Sequence, residues 1–186
     1  MTYTPGIDRS RVDILTELLA DHRAVEDMFD RWHRTAVDDR AEYFCELVPM
    51  LVGHEVAEEM VVFPALRGRD ELVGPVVDVR LAEQAAAEQV LSAMEGMDPR
   101  SQEFAEAFGH LRVAVLQHAG REEVEVFPLF DRYQDTLDRP TLAIRYTKAK
   151  EAAPTHPHPH APDTPPGNTV LGPITGIVDR VRDALH

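Results

Sequence analysis

The chain has 186 residues, 44% of them hydrophobic and 28% charged, with a formal net charge of −14. That is enough apolar material for one real core plus an appendage, and the negative balance argues against nucleic acid and anionic membrane surfaces, both of which attract basic patches. No apolar run approaches the about 20 residues that span a bilayer, the first residues lack the apolar stretch of a secretory signal, and the single cysteine, Cys45, allows neither an internal disulfide nor a cysteine-rich metal site. The expected location is the cytoplasm.

Taken in chain order, helix-period segments dominate and strand signals are nearly absent. A first helix is predicted from about Ser10 to Ala36, with the stripe Leu15, Leu18, His22, Val25, Phe29 and Trp32. A second runs from about Arg40 to Leu66 through Phe44, Leu47, Leu51, His54, Glu58, Val61 and Ala65. Pro49 and Gly53 lie inside it and predict a kink or bulge just before His54. The third starts near Pro75 and continues to about Met94, with Val77, Leu81, Gln84, Glu88 and Leu91 on one side. The fourth carries Phe104, Phe108, Leu111, Val115, His118, Glu122 and Val126. Four such helices with short turns describe an all-α, antiparallel up-down four-helix bundle over residues 1–135. Residues 136–186 are read as an appendage. It comprises a short fifth helix in RPTLAIRYTKAKEAA, a Pro/His-rich linker holding His156, His158 and His160, and a terminal amphipathic stripe of Ile174, Ile177, Val178, Val181 and Leu185.

Each of the four stripes is interrupted by a polar pair spaced i, i+4: His22 and Glu26, His54 and Glu58, Gln84 and Glu88, His118 and Glu122, with Glu26 at the edge of its stripe because Val25 competes for the inward position. In an antiparallel bundle these pairs meet in one layer. Two of the stretches are copies, HEVAEEMVVFP at 54–64 and HAGREEVEVFP at 118–128, sharing H-x-x-x-E-E-x-x-x-F-P. Carboxylates moved into an apolar interior without a partner protonate or cost several kcal/mol. No lysine or arginine sits on these stripes to compensate them. A bound cation would, and imidazole with carboxylate suits iron, manganese or zinc. A lone H-x-x-x-E is usually a surface pair; two copies on core stripes favour metal. Glu59 and Glu123 fall off the stripes and read as solvated, and His33 and His110 as ordinary polar positions. Phe63 and Phe127 read as core.

DHRAVE with His22, HEVAEE with His54 and Glu58, and HAGREE with His118 and Glu122 resemble the hemerythrin-like, or HHE cation-binding, family over roughly residues 10–135. The tail PHPHAPDTPPGN also looks like that of actinobacterial members. The resemblance implies a bundle around a non-heme di-iron centre with two iron ions and an oxo or hydroxo bridge. His22, His54 and His118 would be terminal ligands, and Glu58 and Glu122 bridges. It further implies a small-molecule ligand such as dioxygen, peroxide or nitric oxide, or the sensing of oxygen and iron. One departure stands out: Gln84 occupies the place of an expected histidine on the third helix. The second iron is then weak, or another oxygen donor replaces it, with Glu55, Glu26 and Glu88 as candidates. Glu55 stands first, brought round by the kink. The alternatives are an iron-storage or zinc-binding bundle, and an interaction or cargo protein that recruits a partner, or a second copy, through its tail.

Overall fold

The computed structural model describes residues 12–153, and the tail stripe and the three linker histidines lie outside that range. Among the described residues every regular element is helical, and no helix is long and apolar enough to cross a membrane. Helix α1 (Ile14–Trp32) is followed by a 3-10 turn (Val37–Asp39) and α2 (Arg40–Ala57), which passes through a π-helical turn (Glu58–Val62) into α3 (Phe63–Leu66). Then come α4 (Val73–Met94), α5 (Gln102–Glu125), α6 (Phe127–Arg132) and α7 (Arg139–Ala152).

The helix starts are chemically marked. Asp13, Ser101 and Asp138 each turn a side-chain oxygen onto a free backbone N–H of the first turn, at Leu15, Phe104 and Thr141 respectively. Arg139 then reaches back to Asp13 at 2.8 Å, tying the start of α7 to the start of α1. Two to three turns further along, Lys150 of α7 contacts Asp21 of α1, so these two helices run parallel.

The expected kink at Pro49 and Gly53 is displaced. The α-helix continues through both residues, and the departure from α geometry falls one turn later, in the π turn Glu58–Val62. The F-P dipeptide that both copies share sits at this break. Pro64 has no N–H to give to the preceding turn, and the N–H of Phe63 bonds instead to the carbonyl of Glu58, which absorbs the extra residue. In the second copy the same dipeptide ends α5 at Glu125 and starts α6 at Phe127, without a π turn.

Two apolar cores lie on either side of the polar layer. One is rich in aromatics: Trp32 stacks on Phe108 at 3.9 Å between ring centres, and Phe104 meets Phe44 edge-on at 5.0 Å. The other gathers Ile14, Leu18, Phe63, Leu66, Val77 and Phe130. Leu142, Ala143, Tyr146 and Ala149 of α7 belong to this second core, so the helix beyond residue 135 packs directly into the bundle. Gly53 faces α7, where a Cβ would stand 3.7 Å from the carbonyl oxygen of Lys150. Ala would just fit there, and a longer side chain would push α7 away.

Candidate metal centre

His22 on α1, His54 at the end of α2, Glu58 at the start of the π turn and Glu122 on α5 are all buried. Each offers one ligand atom such that the four atoms lie within 4.8 Å of one another. His118 is next to them, its Nε2 3.4 Å from Glu122 Oε1. The other two imidazoles aim the same nitrogen inward. His22 Nε2 lies 3.4 Å from Glu122 Oε2, and His54 Nε2 lies 3.5 Å from Glu58 Oε1.

The outward nitrogens are all held. Nδ1 of His22 is 3.1 Å from Glu123, Nδ1 of His118 is 3.0 Å from Glu83, and Nδ1 of His54 is 2.6 Å from the hydroxyl of Tyr146. Glu123 is itself fixed by Arg23 at 2.9 Å, and Glu83 by Arg80 at 3.0 Å and by Arg121. A partner on Nδ1 leaves the lone pair on Nε2, which is how metal-ligating histidines are oriented.

Several of the inward atoms, by contrast, lack partners. Nε2 of His22, Nε2 of His118 and both oxygens of Glu122 are buried without a hydrogen bond. Unpaired buried polar atoms are rare because each costs about 1–3 kcal/mol. Several of them converging on one point, with imidazole and carboxylate chemistry, fit a divalent cation. The electrostatics agree. Burial, together with the Glu122 charge, pushes the Glu58 carboxyl well above the usual range. Burial also works against ionisation of Glu122, but the adjoining His118, with His22 and His54, holds it well below that range. Two carboxylates in one dry site cannot both ionise without added positive charge, which a cation supplies.

The remaining expected residues fall out differently. Gln84 is buried, and its Nε2 donates to Glu58 Oε2 at 2.6 Å while its Oε1 has no hydrogen-bond partner. Glu55 lines a cleft beside the centre with His22, His54, Gln84 and His118; Val25, Leu51, Ala87, Val115, Leu116 and Ala119 complete its lining. Burial raises the Glu55 carboxyl to about 8. Glu88 is half-buried on α4, close enough to raise Glu55 further by its charge, and lies outside the four-residue group. Glu26 does not join the centre: it pairs with Arg23, one turn away on the surface of α1, at 3.2 Å. Glu123, expected to be solvated, instead supports His22. Phe127 is half-buried and stacks on His22 with ring centres 5.5 Å apart, while Phe63 is in the core as expected. His33 and His110 are exposed.

Residues 13–130 match the model of the hemerythrin HHE cation-binding domain. The chain belongs to the hemerythrin HHE cation-binding family. A similar protein is an uncharacterised hemerythrin-like protein of Schizosaccharomyces pombe, 26% identical over 137 residues that make up 73% of this chain and 68% of the relative. No solved structure matches. The buried His/Glu group fits the metal site that the family name implies. What sequence reasoning missed are the supports: Asp21, Glu83, Tyr146 and Lys150. Their signals were faint, since Asp21 and Glu83 each directly precede an inward residue and Tyr146 looks like an ordinary core aromatic.

Proposed function

We propose that this hemerythrin-like bundle holds non-heme iron and uses it to bind a small ligand such as dioxygen, peroxide or nitric oxide. The observation carrying the reading is the convergence of buried, unpartnered His22 Nε2, His118 Nε2 and Glu122 carboxylate oxygens beside His54 and Glu58. His22, His54, Glu58 and Glu122 would hold the first ion; His118, sharing Glu122 with it, would hold the second. Iron there would supply an open coordination position and one-electron redox chemistry. The chain's own contribution is the rest. The apolar wall of Val25, Leu51, Val115 and Leu116 admits a small uncharged molecule and keeps bulk water off the site. Glu83, Glu123 and Tyr146 fix the three imidazoles, and Glu55 lines the cleft beside them.

The donor set also supports an asymmetric pair. Gln84 spends its N–H₂ on Glu58 and leaves only a neutral amide oxygen on α4, a poorer donor than imidazole. The second ion is then the weaker, with Glu55 as the nearby carboxylate that can supplement it. Metal analysis with an absorption spectrum of aerobically purified protein tests the reading. Iron with near-ultraviolet absorption from a bridged ferric pair is expected. Zinc, or iron without that absorption, would contradict it and favour the zinc-binding or storage alternative; a metal-free protein that still binds a partner through its tail would favour the cargo alternative.

A further inference from the structure

Two of the three inward histidines are braced by a carboxylate directly, Glu123 for His22 and Glu83 for His118. His54 is not. The hydroxyl of Tyr146 lies 2.6 Å from its Nδ1 and 2.7 Å from Asp21 Oδ2, and that carboxylate oxygen stands 3.6 Å from the ring nitrogen, beyond hydrogen-bond distance. Lys150 closes the set, its Nζ 2.5 Å from Oδ1 and 2.6 Å from Oδ2 of the same carboxylate. Tyr146 is 1% exposed, so its hydroxyl is shielded from bulk water.

The directions follow from donor and acceptor inventory. A carboxylate paired with an ammonium group accepts only, so the Tyr146 O–H donates to Asp21. The free lone pair of the phenol oxygen then accepts the Nδ1–H of His54. That leaves the His54 lone pair on Nε2, the nitrogen facing Glu58. The chain of bonds runs from α2 through α7 to α1 and back to α7. Both residues that α7 contributes, Tyr146 and Lys150, lie on the face it packs against α1 and α2.

We propose that Tyr146, clamped by Asp21 and Lys150, is a positioning residue of the metal centre, its hydroxyl fixing the tautomer and ring plane of His54. This rests on the metal-binding reading above. It makes α7 part of the site rather than a strut beside it, and it separates His54 from the other two histidines: only His54 takes its brace from outside the four long helices.

The test uses the full chain and cobalt(II) alone, with affinity measured by competition against a chelator and the ligand-field spectrum recorded at saturation. Tyr146→Phe removes the acceptor while keeping the ring. It is expected to lower affinity by about 10–100-fold, the usual range for an outer-shell partner, and to shift the ligand-field bands. Leu142→Ala, on the same helix and in the same core, is the control: it should lower thermal stability and leave affinity and spectrum unchanged. Tyr146→Phe binding within about threefold of the parent with the parent's spectrum would overturn the proposal, as would an equal loss in Leu142→Ala. Should Tyr146→Phe not fold, Lys150→Met at its half-buried position replaces it, with a smaller fall in affinity and a spectral shift expected and no change in either overturning the idea. A parent chain that takes up no cobalt would overturn the metal-binding reading itself, and this proposal with it.

Discussion

His54 and His118 head two copies of one eleven-residue pattern, and the fold uses them differently. The first copy passes into a π turn at Glu58–Val62, turns Glu58 toward Gln84, and takes its histidine's brace from Tyr146 on α7. The second stays α-helical to Glu125 and takes its brace from Glu83 on α4, one residue before Gln84. The first copy closes a four-residue group with His22 and Glu122; His118 stands beside the cleft with Glu55. Identical motifs therefore make unequal halves of one centre, because what each imidazole needs behind it comes from a different helix. The repeat supplies ligands, and the surroundings decide how firmly each is held.

The largest expected effect breaks both halves at once. Replacing His54 and His118 together with alanine should abolish metal loading, which metal analysis of the purified variant reads directly. Full occupancy in that variant would show that the ions, if any, sit elsewhere. Removing metal from the parent should also lower its melting temperature, because the vacated site leaves two carboxylates and their unpaired neighbours in the core.

The next prediction separates the centre from the aromatic core beside it. Phe104 is fully buried among Trp32, Phe44 and Phe108 and touches none of the inward ligands. Phe104→Ala should lower folding stability by about 3–5 kcal/mol in a denaturant titration, with metal stoichiometry unchanged at low temperature. Loss of metal at conditions where the variant remains folded would mean that the two regions are not independent.

A smaller change sharpens the inequality itself. Gln84→His puts an imidazole on α4 and should tighten the second ion by about tenfold, or ~1.4 kcal/mol. Glu55→Gln should weaken that ion in the parent and matter less in the Gln84→His background, as a double-mutant cycle would show. Additive effects would rule out compensation between the two positions.

The smallest effect lies far from the centre. The Asp70 carboxylate accepts from the hydroxyl of Tyr133 and from the N–H groups of Leu72 and Val73, and these bonds hold its pKa below the ordinary 3.8. A depressed pKa adds stability that is present above the unfolded value and lost as pH falls through the folded one. Asp70→Asn should therefore be slightly less stable than the parent at neutral pH, with the difference shrinking below about pH 4 and metal binding untouched throughout.

The bundle and its polar layer were legible because both are local signals. An apolar stripe interrupted at i and i+4 shows which face turns inward, and His22, His54, Glu58, Gln84, His118 and Glu122 are all buried on it. The break at F-P was misplaced because Pro49 and Gly53 looked the stronger helix breakers. The sequence does not reveal that the proline at 64 lies where a π turn can absorb the missing N–H. The braces were illegible for a different reason. Tyr146 meets His54 across 92 positions and Asp21 across 125, distances at which periodicity says nothing. Glu26 was legible in part: its i+4 spacing from His22 matched the rule, the competition from Val25 was visible, and in the structure Val25 and Phe29 take the inward face of α1 while Arg23 holds Glu26 on the outside.

The unequal halves make one measurement decisive. Anaerobic titration of the metal-free full chain with iron(II), followed by near-infrared magnetic circular dichroism, counts the ions and reports whether they enter together. The structure leads us to expect two steps, a first equivalent bound tightly and a second about tenfold or more weaker. Two equivalents entering in a single step with one ligand-field signature would contradict the asymmetry, and no binding at all would contradict the metal centre.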